Sequence, residues 1–123
     1  MSAQDAYSTY VQNNTQVESP EKLIEMLYEG LIRFCSLAKK SIENNDVEKR
    51  VYWTNRAIAI FEELINSLDA EKGGDVAIYL EGLYLQQIKF LTESNVENNA
   101  EKLDIVLNVV RELLEAWREV TTK

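Results

Sequence analysis

The chain has 123 residues, a length that suits one domain able to bury roughly two thirds of the surface its unfolded form exposes. Its 21 acidic residues against 13 Lys and Arg give a net charge of −8, which disfavours nucleic acids and anionic lipid surfaces as partners. The N-terminus lacks a signal-peptide pattern and no stretch reaches the roughly 20 apolar residues that span a bilayer, so we expect a cytosolic protein without membrane insertion.

Residues 1–18 are expected to form a short N-terminal arm. Tyr7 and Tyr10 could share one side of a helix of two or three turns, which is too short to be stable in water unless it docks. Its aromatic side suits the apolar surface of the next helix at Ile24 and Tyr28. Fraying of a polar terminus is the alternative, and composition does not separate the two.

The first long helix is predicted from Ser19 to Ile42. Ser19 is a favoured N-cap, and Pro20 fits the first helical position because no amide hydrogen is needed there. Two apolar stripes then follow the helical period, the first at Leu23, Leu27, Gly30, Leu31, Phe34 and Ala38, the second at Ile24, Tyr28, Ile32 and Cys35. The lone Cys35 cannot form an intramolecular disulfide and is expected in the core. Together the stripes exceed the arc of a one-sided surface helix, so something must cover the second.

The second helix follows a short turn near Asn44, which makes the first two helices antiparallel. Asn45 with Glu48 resembles a capping box. One apolar stripe of the second helix has the spacing of a bundle seam; it consists of Val47, Val51, Thr54, Ile58, Phe61, Ile65 and Leu68. A second stripe lies beside it and consists of Trp53, Ala57, Ile60 and Leu64. Such a doubled face is ordinary for a helix that contacts two neighbours in a bundle.

Gly73 and Gly74 are predicted to allow the reversal into the third helix, with Asp75 as its cap. A core face and an adjacent stripe follow, the first at Val76, Leu80, Leu83 and Phe90, the second at Ala77, Tyr84, Ile88 and Leu91. Gln87 interrupts this series and must reach water or a partner. Asn98 with Glu101 repeats the capping-box pattern, and the fourth helix carries Leu103, Val106, Val110, Leu113, Trp117 and Val120 on one face.

The predicted fold is all-α, an antiparallel up-down four-helix bundle over residues 19–123 with a short N-terminal helical arm. Each helix has an apolar arc of about half its circumference or more, whereas a closed bundle buries only the inward part. We therefore expect unburied apolar grooves that can receive a partner helix or a disordered segment.

Several chemistries are excluded because the sequence contains no His. It lacks the acceptor of phosphotransfer bundles, the Glu-x-x-His ligands of di-iron bundles and any His-based nucleophile system. One cysteine cannot build a zinc site, and no glycine-rich phosphate loop precedes a helix. Carboxylate pairs such as Glu25 with Glu29 fall on solvated helix faces. We expect a protein that is not an enzyme and that uses no cofactor or metal.

Four sequence blocks resemble the flagellar secretion chaperone family. These are AYSTY around Tyr7 and Tyr10, SPEKLIEMLYEGLIRF from Ser19 to Phe34, GGDVAIYLEGLY from Gly73 to Tyr84, and the terminal LLEAWREV. The second block is the most specific, since a Pro cap, an LY pair and a mid-helix Gly occur together. Members usually carry Asp in place of Glu29 and a more aromatic segment in place of residues 83–87.

The resemblance implies an antiparallel helical bundle that binds the disordered C-terminal segment of flagellin. The implied role is to prevent premature polymerisation in the cytosol and to deliver flagellin to the flagellar type III export apparatus, with an export-gate component or a co-chaperone as further partners. In this family the N-terminal segment can cover part of the ligand groove and be displaced.

The residues expected to contact the partner are Tyr7, Tyr10, Ile24 and Tyr28 around the arm, with Trp53, Ala57, Ile60 and Leu64 as a second patch. Under this hypothesis the free protein is a monomer and binds flagellin 1:1. The alternative is a homodimeric helical-bundle interaction protein without a chaperone role, in which the extra apolar stripes are buried between two copies.

Overall fold

The computed structural model describes residues 19–122, which contain four helices and no strand. The helices are α1 (Pro20–Glu43), α2 (Val47–Asn66), α3 (Ala70–Glu97) and α4 (Ala100–Thr121). The predicted all-α class is therefore confirmed. The predicted arm over residues 1–18 lies outside the described residues.

The four helices form a closed ring in which each packs on its neighbours in the chain and α4 packs back on α1. The Trp117 indole near the end of α4 donates a hydrogen bond to the Glu21 carbonyl at the start of α1, at 2.9 Å. At the other end, Lys39 of α1 pairs with Asp104 at the start of α4, at 2.8 Å. These contacts make α1 and α4 antiparallel and establish the up-down arrangement.

The start of α1 has the predicted cap. Ser19 is extended, with φ −139° and ψ 153°, and its hydroxyl accepts a hydrogen bond from the Lys22 amide at 3.1 Å. Pro20 occupies the first turn, where its missing amide hydrogen has no consequence. Local sequence is enough to determine this helix start.

The turn between α1 and α2 differs from the predicted capping box by one residue. Asn45 adopts a left-handed conformation with φ 55°, and the Asp46 amide donates back to the Ser41 carbonyl at 2.9 Å, the pattern of a Schellman motif. The N-cap of α2 is Asp46, whose carboxylate accepts from the Lys49 amide at 3.1 Å. The predicted cap at Asn45 is wrong, because Asn tolerates the left-handed conformation that ends α1.

The turn between α3 and α4 repeats this arrangement. Asn98 has φ 54°, the Asn99 amide donates to the Ser94 carbonyl at 3.0 Å, and the Asn99 side chain caps α4 by accepting from the Glu101 amide at 2.8 Å. The predicted cap at Asn98 is therefore also wrong by one residue. Arg50 of α2 donates to the side-chain oxygen of Asn98 at 2.9 Å, which ties this turn to the second helix.

The reversal into α3 occurs before the glycine pair. Asp69 caps the first turn of α3 by accepting from the Lys72 amide at 3.2 Å. Gly74 then interrupts the helix with φ 52° and ψ −128°, a conformation that favours glycine. Of the two glycines predicted to take a positive φ, Gly74 does so and Gly73 does not. The predicted cap at Asp75 is wrong because Asp75 lies inside α3.

The core consists of side chains from all four helices. Those that are almost completely inaccessible and largest are Phe61, Leu27, Leu31, Ile60, Leu64, Leu91, Leu103, Gln87, Val106, Val110, Thr54 and Cys35. On α1 both predicted stripes contribute, since Tyr28 and Cys35 are buried beside Leu27 and Leu31. Most of the apolar surplus predicted for α1 is therefore used within the bundle.

The inward face of α3 is not the predicted one. Its buried residues are Ala77, Tyr84, Gln87, Leu91 and Ser94, whereas Val76, predicted in the core, is 65% exposed. The prediction failed there because residues 76–80 form an uninterrupted apolar run, so helical period alone does not select an inward face.

Candidate partner-binding surfaces

A cleft of about 440 Å³ lies between α1 and α2. We refer to it as the α1–α2 cleft, and its described lining is Met26, Glu29, Gly30, Arg33, Phe34, Tyr52, Trp53 and Arg56. The lining combines apolar and aromatic side chains with both signs of charge. Such a surface suits a chain segment that is itself amphipathic.

Aromatic rings form one wall of the α1–α2 cleft. Phe34 stacks on Trp53 with ring centroids 5.5 Å apart, and Tyr52 meets the Trp53 ring edge-on at 4.8 Å. The Arg56 guanidinium lies 4.9 Å from the Phe34 centroid and donates a hydrogen bond to the Tyr52 hydroxyl at 3.0 Å. Its Nε is buried and has no hydrogen-bond partner among the described residues. A ligand that presents a carbonyl or carboxylate beside an apolar side chain would complement this wall.

A second opening, the α2–α3 groove, has a volume of about 340 Å³ on the other side of α2. Its lining is Ile58, Glu62, Ile65, Asn66, Leu85 and Ile88. The floor is aliphatic, and the polar groups of Glu62 and Asn66 come from α2 only. Leu85 is 52% exposed, so the groove opens onto the solvent-facing side of α3.

The structure describes two of the four residues in the first predicted group of site residues. Tyr7 and Tyr10 lie outside the described residues. Ile24 is partly buried and packs against the core. Tyr28 is 4% exposed, and its hydroxyl lies 2.6 Å from the Tyr84 hydroxyl in a buried hydrogen bond. The participation of these residues in partner binding remains a prediction.

The second predicted group does not lie on one accessible surface. Trp53 lines the α1–α2 cleft, whereas Ala57, Ile60 and Leu64 are at most 1% exposed and belong to the core. The helical period places all four on one stripe of α2, but only Trp53 reaches the surface, and the rest of the stripe faces the core. Direct contact of a partner with the last three would require the bundle to open.

Several cleft residues were missed by reading apolar stripes alone. Tyr52 and Arg56 line the α1–α2 cleft, and Leu85 lines the α2–α3 groove. Tyr52 and Arg56 are four residues apart on one helix, a spacing that brings side chains together. An exposed aromatic residue next to an arginine at this spacing was the available signal.

The buried polar groups belong to the interior of the bundle. Burial raises the pKa of Tyr28 and of Tyr84 above the usual range for tyrosine, and burial raises the pKa of the Cys35 thiol to about 12. Within residues 19–122 there is no cluster of His, Cys, Asp or Glu able to hold a metal ion. No helix in this range has the length and apolar character needed to cross a membrane.

The fold and its openings define a class of protein: an all-α bundle with clefts between its helices that combine apolar and aromatic side chains with charged groups. Helix-lined clefts of this kind bind amphipathic segments of other chains. The comparisons with known proteins are consistent with this class.

The model of the family described as "Flagellar protein FliS" matches residues 3–123. The chain is 58% identical over 115 residues to the flagellar secretion chaperone FliS of Campylobacter jejuni, covering 94% of this chain and 90% of that protein. It is 32% identical over 114 residues to the FliS of Salmonella typhimurium, covering 92% and 84% of the two chains. For the FliS of Bacillus subtilis the identity is 29% over 119 residues, covering 97% and 88%. The chain belongs to the FliS family, and the predicted resemblance is confirmed.

Proposed function

We propose that this protein is a flagellin-specific export chaperone. It binds the disordered C-terminal segment of flagellin in the cytosol, prevents premature polymerisation and delivers the subunit to the flagellar type III export apparatus. The observation that carries the proposal is the family match over residues 3–123. The α1–α2 cleft and the α2–α3 groove, on either side of α2, supply surfaces on which such a segment can lie.

The role requires extensive apolar contact. A disordered segment loses conformational freedom when it binds, so a short contact would not offset the free energy of ordering it. The α1–α2 cleft and the α2–α3 groove flank the same helix, and an extended segment that crosses α2 can use both. Each binding event buries apolar surface of the chaperone and of flagellin, and we expect one flagellin segment for each chaperone.

Within this proposal, Trp53 and Tyr52 are the principal contacts in the α1–α2 cleft. Tyr52 is 49% exposed, and Trp53 is partly buried, so an apolar side chain from flagellin can cover both rings. We propose that Tyr7, Tyr10, Ile24 and Tyr28 contact flagellin on the side of the site that the N-terminal arm covers. The arm competes with flagellin for this surface and is displaced by it.

The test is calorimetric titration of the full chain with a peptide of the flagellin C-terminal segment. We expect 1:1 binding together with a change in Trp53 fluorescence, measured in a Trp117→Phe background so that one indole remains. Absence of both heat and fluorescence change at tens of micromolar peptide would reject the proposal.

Matched variants separate the two openings. Tyr52→Ser removes a cleft ring and should weaken binding by about tenfold, whereas Val47→Ser removes an apolar group that is 57% exposed and lines neither opening. Glu62→Trp fills the α2–α3 groove, and Glu112→Trp places the same bulk on an exposed position of α4. Equal effects of each variant and its control would show that flagellin uses other surfaces.

The arm residues need their own variant. Tyr7→Ala combined with Tyr10→Ala should change the affinity for the flagellin peptide while the helix content measured by circular dichroism stays the same. A loss of helix content would instead assign these tyrosines a structural role.

A further inference from the structure

The α1–α2 cleft continues along both of its helices towards the turn that joins them. An adjoining opening of about 240 Å³ is lined by Leu37 and Lys40 of α1 and by Lys49 of α2, among others. Trp53 lines this opening as well as the α1–α2 cleft, so the two are parts of one depression. We call the cleft and the adjoining opening together the long groove. Leu37 and Trp53 give its middle an apolar surface.

Two pairs of basic side chains line the long groove, one pair towards each end. Arg33 and Arg56 belong to the α1–α2 cleft, and Lys40 and Lys49 belong to the adjoining opening. Within each helix the two basic residues are separated by two helical turns, from Arg33 to Lys40 on α1 and from Lys49 to Arg56 on α2. Two turns measure about 10 Å. Because α1 and α2 are antiparallel, the two separations match, and the arginine pair lies about 10 Å from the lysine pair along the groove.

Three of these four cations have no acidic partner in the described part of the chain. The protein has 21 acidic residues against 13 basic ones, so most basic side chains can find a carboxylate nearby. Arg33, Lys40 and Arg56 nevertheless form no ion pair with another residue in the range 19–122. The long groove is therefore a locally positive surface on an acidic protein.

The two acidic residues that line the long groove are already engaged. Glu29 pairs with Arg118 of α4 at 3.1 Å. Asp46 caps the start of α2, and its carboxylate lies 4.0 Å from the Lys49 ammonium. These contacts leave the basic side chains of the groove in excess, and a ligand with carboxylates would complement them.

Arg56 is the only one of the four basic residues that is partly buried. Its guanidinium lies 4.9 Å from the Phe34 centroid and 5.6 Å from the Tyr52 centroid, and one Nη donates to the Tyr52 hydroxyl. The buried Nε has no hydrogen-bond partner, which is unfavourable for the free protein. A carboxylate can accept two parallel hydrogen bonds from the Nε and an Nη of one arginine. A small rotation of the Arg56 side chain towards a carboxylate in the groove would therefore satisfy Nε.

We propose that the long groove selects a stretch of the flagellin segment in which acidic side chains flank apolar ones. This inference rests on the proposed chaperone function and adds the charge pattern of the bound stretch. One carboxylate lies at the arginine pair, where Arg56 donates to it, and a second lies at the lysine pair, while the apolar residues between them cover Trp53. The separation of about 10 Å corresponds to about three residues of extended chain or about seven residues of helix. A chain terminus supplies only one carboxylate, so two sites at this separation require acidic side chains.

Calorimetric titration with two matched peptides tests the charge pattern. The first is the flagellin C-terminal segment, and in the second every Asp and Glu is replaced by Asn or Gln; both have an amidated C-terminus. The neutral peptide should bind about tenfold more weakly. Raising NaCl from about 50 to about 500 mM should weaken the native peptide and leave the neutral one nearly unchanged. A protein with a net charge of −8 and no local positive surface would show the opposite salt effect, because salt screens the repulsion between two acidic molecules.

Variants of the protein assign the effect to the groove. Arg56→Gln should weaken the native peptide by about tenfold and leave the affinity for the neutral peptide unchanged, which a merely structural role of Arg56 would not do. Arg111→Gln, which removes the same charge from an exposed position on α4, is the control. If Arg56→Gln loses helix content, Lys40→Gln/Lys49→Gln tests the other end of the groove, with an expected loss of about fivefold. Its control is Lys72→Gln/Lys89→Gln, at exposed positions on α3.

The outcomes that overturn the charge inference are distinct from those that reject the chaperone function. Equal affinities for the two peptides, or equal effects of the groove variants and their controls, overturn the charge inference and leave the chaperone function standing. Tighter binding of the native peptide to Arg56→Gln also overturns it, because the cations would then hold an acidic segment of this chain itself. Absence of binding by the native peptide to the wild-type chain rejects the chaperone function and the charge inference together.

Discussion

The hydrogen bond between Tyr28 and Tyr84 crosses the centre of the bundle and joins α1 to α3. The hydroxyl oxygens are 2.6 Å apart, and the side chains are 4% and 2% exposed. Tyr84 also contacts the Phe61 ring, with centroids 6.0 Å apart. If one hydroxyl is removed, bulk water cannot reach the other to form the missing hydrogen bond. The free-energy cost of that unpaired hydroxyl therefore determines the size of the mutational effect.

Replacing one tyrosine by phenylalanine leaves the other hydroxyl unpaired in the core. Such a buried unsatisfied group costs about 1–3 kcal/mol. For a domain of this length, each kcal/mol corresponds to a change of about 4 °C in Tm. We therefore expect Tyr28→Phe and Tyr84→Phe each to lower the Tm by about 4–12 °C. Tyr28→Phe/Tyr84→Phe should unfold closer to the wild-type temperature than the sum of the two single effects, because it leaves no orphaned hydroxyl.

The assay is thermal and urea unfolding of the four proteins followed by circular dichroism, combined as a double-mutant cycle. Additive single effects would show that the two hydroxyls do not interact in the core. Affinity for the flagellin peptide should be the same for Tyr28→Phe as for the wild type, because the hydroxyl is inaccessible. If Tyr28→Phe instead weakens binding and leaves the Tm unchanged, Tyr28 contacts the partner directly, as the sequence predicted.

Three further outcomes are expected. Because burial raises the pKa of Cys35 to about 12, the folded state keeps a proton that the unfolded state releases, and stability is lost as pH rises from about 9 towards 12. In urea unfolding between pH 9 and 10, the free energy of unfolding of Cys35→Ala should fall less steeply with pH than that of the wild type, by up to about 1.4 kcal/mol per pH unit. Equal slopes for the two proteins would count against this prediction. Gly82→Ala should raise the Tm by about 4 °C in dilute protein, since the added Cβ meets nothing. Asn45→Ala should lower the free energy of unfolding by about 1 kcal/mol because of its φ of 55°, whereas Asn45→Gly should not.

Local sequence was sufficient for the elements of this fold. The Ser19 cap, the helical period and the polar turns predicted four helices with the correct order, and their short connections predicted antiparallel packing. The N-caps predicted at Asn45 and Asn98 lie one residue before the observed N-caps, because an Asn side chain also suits the left-handed residue that ends the preceding helix. That choice depends on the backbone path through the whole turn.

The site was less predictable, since both openings are built from residues distant in the chain. The α1–α2 cleft joins Phe34 to Trp53 across a turn, and the α2–α3 groove joins Ile58 to Leu85. A stripe on one helix shows that a partner is needed, but it does not show which partner covers it. Tyr52, half exposed next to Trp53, became recognisable as a cleft residue only when α1 was in place.

The order of helix caps, helical hydrophobic periodicity and polar turns in the chain therefore determined that this protein is a four-helix bundle whose helices carry more apolar surface than a closed bundle buries. The tertiary structure decided which of these apolar residues are buried. It placed Ala57, Ile60 and Leu64 in the core and turned Val76 outward, although all four belong to equally apolar stripes. The physical reason is that a helix that is apolar over half its circumference can bury an apolar stripe in several rotations about its axis. Only contact with its two neighbours in the bundle selects one of these rotations.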